Sequence, residues 1–226
     1  MILSIVATPI GNLKDISVRA KEVLEQATLV VAEDTRTSGQ LFKLLGIEGD
    51  REFVSSHAFS SENDLKKALE RCQSHEFIVL VTDAGTPAIS DPGSFFISKF
   101  RKAFPEASIV PVPGPSAVIS ALSVCGYPTS HFEFLGFIPH KKGRQTLFAR
   151  ISELEHVVAF YESPHRILKT LEELDKNIPN REMFIGREMT KMFEEYRWGF
   201  AKDHLDYYQN NPGKCKGEFV CVISQN

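Results

Sequence analysis

The sequence has 226 residues, enough for one large domain or two small ones, with 42% hydrophobic and 24% charged residues. These are the values of a soluble globular protein. No apolar run approaches the ~18 residues of a membrane span, and the start lacks the basic segment and cleavage site of a signal peptide, so we expect a cytoplasmic protein. The net charge of −3 excludes binding of nucleic acid through a uniformly basic surface, so any RNA contact would need a local basic patch.

The first half of the chain alternates buried-strand and helix patterns. Near-continuous apolar strands between amphipathic helices predict a parallel sheet covered on both faces. The predicted strands are 2–7, 28–32, 77–82 and 108–112, and the predicted helices are 15–27, 35–46, 62–72, 94–104 and 117–124. The first helix has Asp15 or Ser17 as its cap, and Gly46 closes the second.

The pattern changes after residue 125. The later strands are more aromatic and tend to alternate, which predicts a mixed sheet with antiparallel pairs. These strands are 132–137, 157–163, 183–188, 194–200 and 217–224, with a helix over 164–174. The change places a domain boundary within 112–127, and we divide the chain into domains 1–115 and 116–226.

Four loops that follow strands of the first half are unusual in composition. They are TPIGN at 8–12, EDTR at 33–36, DAGTPAISDPG at 83–93 and PVPGPSA at 111–117. Ligands of open α/β sheets bind beyond the carboxyl ends of the strands, and loops rich in Pro and Gly let rigid backbone approach a ligand closely. One such loop is typical of an ordinary strand-to-helix turn, but four at one edge favour a site for a flat heterocycle such as adenine.

Other classes of site are excluded by their missing motifs. The first loop does not match G-x-G-x-x-G, and the chain contains neither a phosphate-binding P-loop nor a G-x-S-x-G nucleophile elbow. No histidine pair has zinc spacing and no CxxC occurs, so we predict no metal site. The four cysteines, at 72, 125, 215 and 221, are predicted to be free thiols.

Three segments of the second half concentrate charge. In YESPHR, a helix start explains Ser163 as the cap and Pro164 as the first residue, which leaves Glu162, His165 and Arg166 without a structural explanation. GREMTK brings Arg187, Glu188 and Lys191 together, and HKKGRQTLFAR carries Lys141, Lys142, Arg144 and Arg150. Each of these charges taken singly is typical of a solvated surface, and the third segment also suits a loop that enters a helix.

Eight stretches, in order, resemble the signature segments of the ribosomal RNA small-subunit methyltransferase I family, in the tetrapyrrole methylase superfamily. They are VATPIGNLKDIS, AEDTR, VTDAGTPAISDPG, PVPGPSAVISAL, FLGFIP, FYESPHR, GREMTK and KGEFVCVI. The resemblance runs from residue 2 to about 224. It implies two α/β domains with the cofactor, S-adenosylmethionine, in the cleft between them, and a homodimer. It also implies 2′-O-methylation of a cytidine in the decoding region of small-subunit ribosomal RNA.

The resemblance also implies a set of cofactor-binding residues. These are Pro9, Ile10, Gly11, Asp83, Ala84, Gly85, Thr86, Ser116, Ala117, Leu135, Tyr161 and Glu218. The cofactor has no phosphate, which accounts for a first loop with one glycine instead of an anion cradle. The sequence departs from the family in two places: Ala88 stands where a glycine is expected, and the usual helical tail of some tens of residues is missing after the last strand.

Methyl transfer to a ribose hydroxyl needs alignment and a group that takes or orients the proton. The candidates are Glu33, Asp34, Arg36, Glu162, Arg166, Arg187 and Lys191. Of these we assign Asp34, Arg36, Glu162 and Lys191 to catalysis and favour the pair Asp34 and Arg36, because AEDTR directly follows a strand. We assign Lys141, Lys142, Arg144, Arg166 and Arg187 to binding of the RNA substrate.

Three alternatives remain open from the residues. The superfamily fold also hosts methylation of a small tetrapyrrole or of a protein side chain, and the chain could be a nucleotide-binding ribosome-assembly factor without chemistry. AEDTR and YESPHR favour the ribosomal branch. A symmetric dimer is further favoured by the apolar cluster that helix 94–104 would otherwise expose.

Overall fold

The computed structural model describes residues 1–55 and 62–226 and separates them into two units, Met1–Ser116 and Ala117–Asn226. In the first unit, five strands form a wholly parallel sheet in the order β3-β2-β4-β1-β5. They are β1 (Ile2–Val6), β2 (Leu29–Ala32), β3 (Glu52–Ser55), β4 (Phe77–Val81) and β5 (Ser108–Val112). The predicted parallel sheet is confirmed, although β3 was not among the predicted strands.

Four helices cover the two faces of this sheet. They are α1 (Val18–Gln26), α2 (Thr35–Leu44), α3 (Glu62–Cys72) and α4 (Gly93–Ala103). Helices α1 and α2 pack on one face, and α3 and α4 on the other. Ser17 caps α1, since its hydroxyl accepts a hydrogen bond from the N–H of Ala20 at 3.0 Å, whereas Asp15 lies in the short 3₁₀ turn before it.

The expectation that the helix over 94–104 exposes an apolar cluster is wrong. Phe96 and Phe100 are fully buried and pack with Leu3, Ile78 and Leu80 of the sheet. They lie one helical turn apart, so both face the sheet. Among the phenylalanines within this helix, only Phe95 is strongly exposed, at 46%. The core of the first unit therefore accounts for most of the apolar surface that favoured a dimer.

The second unit contains a mixed five-stranded sheet in the order β6-β7-β10-β8-β9. Its strands are β6 (Phe132–Phe137), β7 (Val157–Glu162), β8 (Glu182–Arg187), β9 (Glu195–Phe200) and β10 (Phe219–Ile223). Strands β6 and β7 are parallel, while β10 is antiparallel to both β7 and β8, and β8 is antiparallel to β9. The predicted mixed sheet is confirmed.

Helices also cover both faces of the second sheet. They are α5 (Ala117–Val124), α6 (Arg144–Glu153), α7 (Ile167–Asn177) and α8 (Ala201–Asn210). Helix α8 was not predicted, and α6 was only an alternative interpretation of the basic segment. Helices α6, α7 and α8 enclose the larger core on one face, and α5 contacts β7, β8 and β10 on the other. The four cysteines are free thiols. Within residues 1–55 and 62–226, none of the helices has the length and apolar character to cross a membrane.

Candidate functional site

The carboxyl ends of the parallel strands bring the unusual loops of the first unit together. Thr8, just after β1, forms an isolated β-bridge with Gly85, just after β4: the N–H of Thr8 donates to the Gly85 carbonyl at 2.9 Å, and the reverse bond measures 3.1 Å. The Thr8 hydroxyl also donates to the carbonyl of Thr82 at 3.2 Å. Two of the predicted loops are thus fastened to each other by backbone.

Gly85 sits at the closest approach of three loops. Its φ is +84°, and a Cβ placed there would lie 3.3 Å from Cγ2 of Ile10 and 3.7 Å from the carbonyl oxygen of Pro115. The hydroxyl of Thr86 donates to that same carbonyl at 2.9 Å. The first loop, the loop after β4 and the loop after β5 therefore meet at a position that only glycine fills without strain.

Acidic side chains join the ends of β2 and β4. The Glu33 carboxylate accepts hydrogen bonds from the Thr82 hydroxyl at 2.5 Å and from the N–H of Asp83 at 3.4 Å. The Asp83 carboxylate in turn accepts from the N–H of Asp34 at 3.1 Å. These bonds fix the EDTR loop against the DAGTP loop.

Asp34 and Arg36 form an ion pair at the start of α2. Asp34 caps this helix by accepting from the N–H of Arg36 at 2.8 Å, and the guanidinium lies 2.7 Å from its second carboxylate oxygen. Hydrogen bonding to the Arg36 side chain holds the pKa of Asp34 well below its usual range. Because a carboxylate with a lowered pKa is a weak base, Asp34 suits orientation of a hydroxyl better than removal of its proton.

Ala88, where the family resemblance implies a glycine, has a backbone conformation that favours glycine. Ala88 has a φ of +71°, which is the left-handed region that L-residues enter at a cost. Its N–H donates to Oδ1 of Asp91 at 2.9 Å, and the N–H of Gly93 donates to the same oxygen at 2.7 Å. The Asp91 carboxylate therefore holds the turn in which Ala88 is strained.

In the second unit, one sheet edge gathers the predicted residues. Strands β6, β7 and β8 run in the same direction, and β10 runs against β7 and β8, so the ends of the first three and the start of β10 share an edge. The residues at or next to this edge are Lys141, Lys142, Tyr161, Glu162, Arg166, Arg187, Lys191 and Glu218. Leu135 lies within β6 and packs against the core.

Tyr161 links this edge to α5. Its hydroxyl oxygen accepts a hydrogen bond from the N–H of Val118 at 3.2 Å, and its ring contacts Phe134 and Phe137 edge-on. Burial raises the pKa of the Tyr161 hydroxyl above its ordinary value. The Tyr161 side chain is therefore neutral, and its contacts join β7 to α5 and β6.

The assignment of Glu162 to catalysis is contradicted by its burial, since the residue is 1% exposed. One carboxylate oxygen accepts from the N–H of Ser163 and pairs with the Arg166 guanidinium, each at 2.7 Å. The other accepts from the Thr170 hydroxyl at 2.6 Å and lies 3.9 Å from the Arg144 guanidinium. Both oxygens are occupied by the protein itself, so Glu162 is a structural anion.

The assignment of Arg144 to RNA binding is likewise wrong, because this residue is 4% exposed. Its guanidinium donates to Glu173 and to the Thr170 hydroxyl at 2.7 Å each, and to the carbonyl of Pro139 at 3.1 Å. Arg166 is part-buried and donates to the carbonyl of Ile138 at 2.6 Å, besides pairing with Glu162. Both arginines point into the unit, whereas Lys141 and Lys142 are exposed.

The cations of the GREMTK segment are also held internally. Arg187 is 4% exposed and donates to the carbonyls of Phe193 at 2.8 Å and Lys216 at 3.3 Å, so it is unavailable for phosphate. Lys191 binds the carboxylates of Glu188 and Glu218, each at 3.0 Å. Burial lowers the pKa of Lys191, but these two bonds outweigh it and the pKa is raised. Lys191 therefore stays an ammonium and cannot act as a base.

Comparison with known proteins fits this geometry. The family model described as Tetrapyrrole (Corrin/Porphyrin) Methylases matches residues 3–203. The chain belongs to the tetrapyrrole methylase family. This methylase is 38% identical over 222 residues to a protein named Ribosomal RNA small subunit methyltransferase I from Thermotoga maritima, with 98% of this chain and 97% of that protein covered. The resemblance carried by the eight motifs is thereby confirmed. A protein of the same name from Pasteurella multocida is 39% identical over 224 residues, with 98% of this chain but 78% of that protein covered.

Solved structures share the fold of this methylase. A diphthine synthase superposes with a TM-score of 0.75 at 14% identity, covering 100% of this chain and 90% of that one. A uroporphyrin-III C-methyltransferase from Thermus thermophilus, solved with S-adenosylhomocysteine, gives a TM-score of 0.64 at 14% identity and covers 99% and 97% of the two chains. At such identities the likeness establishes the fold class, which confirms the predicted tetrapyrrole methylase type.

Two local predictions for this methylase need correction or addition. Helix α7 begins at Ile167, not at Pro164: Ser163 does not cap it, and the Ser163 hydroxyl accepts instead from Nε of Arg166 at 3.0 Å. Thr8 and Thr82, which connect the loops of the first unit, were missed. Their signal was a hydroxyl residue within two positions after the end of each strand, where the loop begins. Among residues 1–55 and 62–226, no three His, Cys, Asp or Glu side chains form a group that could hold a metal ion.

Proposed function

We propose that this chain is a cytoplasmic S-adenosylmethionine-dependent methyltransferase that modifies small-subunit ribosomal RNA on the 2′-hydroxyl of a cytidine in the decoding region. The observation that supports this proposal most strongly is the 38% identity to a protein named Ribosomal RNA small subunit methyltransferase I, along nearly the whole length of both chains. The target atom and nucleotide are carried over from the family resemblance.

The residues of the first unit fit the cofactor. Gly85, at a φ of +84° and without a side chain, leaves space beside Ile10 that a Cβ would fill. The surrounding loops offer backbone amides, carbonyls and carboxylates, which suit an adenosine and a cationic sulfonium better than a phosphate. We propose that Pro9, Ile10, Gly11, Asp83, Ala84, Gly85, Thr86 and Ser116 of the first unit bind it.

When bound, S-adenosylmethionine supplies a methyl group already activated for in-line displacement. The protein then has to align the ribose hydroxyl, for which effective molarity contributes about 7–11 kcal/mol. We propose that Asp34 accepts a hydrogen bond from the 2′-hydroxyl and orients its oxygen. Arg36, whose side chain is 90% exposed, holds the neighbouring phosphate. The proton of the hydroxyl would leave to water and not to Asp34, because the lowered pKa of Asp34 disfavours its protonation.

Substrate recognition is proposed to depend on the assembled small subunit. With Arg144 and Arg187 buried, the exposed cations Lys141 and Lys142 provide few phosphate contacts. Affinity for RNA built on few contacts is weak, and it falls with salt at a slope of only about −0.7 per contact for single strands. A preformed fold with the target nucleotide splayed out can supply the missing specificity. We expect assembled subunits to be methylated and protein-free RNA to react little.

The test is transfer of a radiolabelled methyl group from S-adenosylmethionine to small subunits isolated from a strain lacking this modification. We expect Asp34→Asn to transfer less methyl than the wild type. Glu133→Gln, near the start of β6, is the control and should transfer methyl at the wild-type rate. Absence of transfer to subunits, together with transfer to a tetrapyrrole or a protein acceptor, would assign the chain to another branch of the family. Absence of cofactor binding by calorimetry would leave only an assembly factor without chemistry.

A homodimer is also proposed, on the family resemblance alone. Two-fold dimers are the commonest soluble oligomers. Light scattering at micromolar concentration should give twice the chain mass of 25.4 kDa, and a single chain mass would contradict the proposal.

A further inference from the structure

Two loops of the second unit are tied together by arginines. The loop over residues 138–143 follows β6, and the turn over 163–166 follows β7, its parallel neighbour. Arg166 of the turn donates to the carbonyl of Ile138 in the loop at 2.6 Å. Arg144, just after the loop, donates to the carbonyl of Pro139 in that same loop at 3.1 Å, and to Thr170 and Glu173 of α7 at 2.7 Å each. The two loops are thus held side by side at the carboxyl edge of the sheet.

The exposed side chains on these loops share one chemistry. His140, Lys141, Lys142 and His165 are all exposed, and Lys169 is exposed one turn into α7 from His165. Neither loop contains an Asp or Glu residue. We call these five residues the basic edge.

Two carboxylates near the basic edge in sequence, Glu162 and Glu173, are neutralised inside the unit, whereas Glu172 of α7 is exposed. Glu162 pairs with Arg166 at 2.7 Å, and Glu173 pairs with Arg144 at 2.7 Å. Both glutamates have side chains at most 13% exposed. The field outside the loop over 138–143 is therefore that of its lysines, while Lys169 has the exposed Glu172 one turn further along α7.

We propose that the basic edge binds consecutive phosphates of an RNA backbone, and that Arg144 and Arg166 act as positioning residues that hold its two loops in register. The inference rests on the proposed function, since it names the part of the RNA substrate that the second unit grips. Lysines on the loop over 138–143 and on the first turn of α7 match a polyanion with a regular spacing of charges, to which every lysine contributes without reading a base.

The first test removes two lysines and measures the salt dependence of binding to polyuridylic acid by fluorescence anisotropy. Lys142→Ala/Lys169→Ala removes one cation from the loop and one from α7. Removal of one lysine–phosphate pair should reduce the slope of log K against log salt by about 0.7, so the slope for the double variant should be shallower by about 1.4. The control Lys176→Ala/Lys202→Ala removes the same charge from exposed positions at the end of α7 and the start of α8 and should keep the wild-type slope. Equal slopes for the two variants would overturn the proposal.

The second test adds charge at a histidine. His165→Lys should tighten binding of polyuridylic acid and steepen the slope by about 0.7. His131→Lys is the matched control, because His131 is also exposed but precedes β6 and so lies at the opposite edge of the sheet. A larger effect at His131 than at His165 would contradict the assignment.

The third test concerns the positioning arginines. Arg166→Lys keeps the charge but removes the fork that reaches both Glu162 and the Ile138 carbonyl, so the KM for small subunits should rise severalfold while kcat and cofactor affinity stay at wild-type values. A fall in kcat with an unchanged KM would overturn this role. If the wild-type chain methylates subunits and none of these variants alters RNA binding, the basic edge is wrong and the proposed function stands. If the wild-type chain transfers no methyl group to subunits, the proposed function itself has failed.

Discussion

Glu162→Gln is the substitution that separates a structural from a catalytic role for the most buried carboxylate of the second unit. The change keeps the shape of the side chain and removes its charge. The guanidiniums of Arg144 and Arg166 are then left without the anion that lies 3.9 Å and 2.7 Å from them. The new amide group also presents N–H donors to the Ser163 N–H, the Thr170 hydroxyl or Arg166, all of which donate to the carboxylate.

The expected loss of stability is large because the pair is desolvated. The Glu162 side chain has no exposed surface and that of Arg144 is 5% exposed. Removing one partner of a buried ion pair costs about 3–5 kcal/mol, since the other charge stays buried without compensation. We expect about 3 kcal/mol, because one amide oxygen still accepts hydrogen bonds. At about 2–4 °C per kcal/mol for a chain of this size, the melting temperature should fall by roughly 10 °C.

Thermal and urea unfolding, followed by circular dichroism, measure this loss directly. The matched control is Glu133→Gln, which removes a carboxylate that is 25% exposed and paired with Arg150. An exposed pair of this kind is worth about 0–1 kcal/mol, so the control should melt within a few degrees of the wild type. If Glu162→Gln melts like the wild type and yet abolishes methyl transfer, the carboxylate contacts the substrate and the structural account of this network is wrong.

Three further substitutions test the loops and the buried core. Gly85→Ala places a Cβ 3.3 Å from Ile10 at a φ of +84°. Calorimetry should therefore show cofactor binding at least tenfold weaker than in the wild type. Wild-type affinity would show that Gly85 does not belong to the cofactor site. Ala88→Gly relieves the left-handed strain of Ala88. Left-handed alanine costs about 1–2 kcal/mol, and the extra freedom of glycine in the unfolded chain offsets part of this gain, so the free energy of unfolding in urea should rise by about 0.5–1 kcal/mol. A decrease in stability would show that Ala88 is not strained. Burial lowers the pKa of His204 below its ordinary value of 6.5, so the unfolded chain takes up a proton that the native chain refuses, and stability should fall as the pH drops below about 6.5. His204→Gln should lessen this fall, and an unchanged pH dependence would show that other groups cause it.

Sequence patterns predicted the first sheet because burial on both faces leaves near-continuous apolar runs, and the second sheet because its strands are more aromatic and tend to alternate. Strand β3 escaped prediction since its four residues are all half-buried and carry no such run. The loops of the candidate site were predicted well for a related reason. Parallel strands place every carboxyl end at one edge, so a strand followed by an unusual loop locates that loop without knowledge of its contacts.

Charged side chains were the part that sequence could not place. Arg144 stands beside two exposed lysines in the chain, but its partners Thr170 and Glu173 lie 26 and 29 residues away. A run of cations in the sequence predicts that all of their side chains are exposed. Only the packing of α6 against α7 shows which of these side chains is buried. Glu162 was misjudged for the same reason, because a carboxylate at the end of a strand suggests catalysis until its three hydrogen-bond donors and its second arginine are known.

The central claim is transfer of a methyl group to the 2′-oxygen of a cytidine in an assembled small subunit. The most direct measurement is mass spectrometry of nucleosides from small subunits and from protein-free ribosomal RNA, each incubated with the purified chain and S-adenosylmethionine. We predict 2′-O-methylcytidine in the digest of the subunits and little in that of the free RNA. A methyl group on a base, on a ribosomal protein, or at equal levels in the two RNA samples would contradict the account.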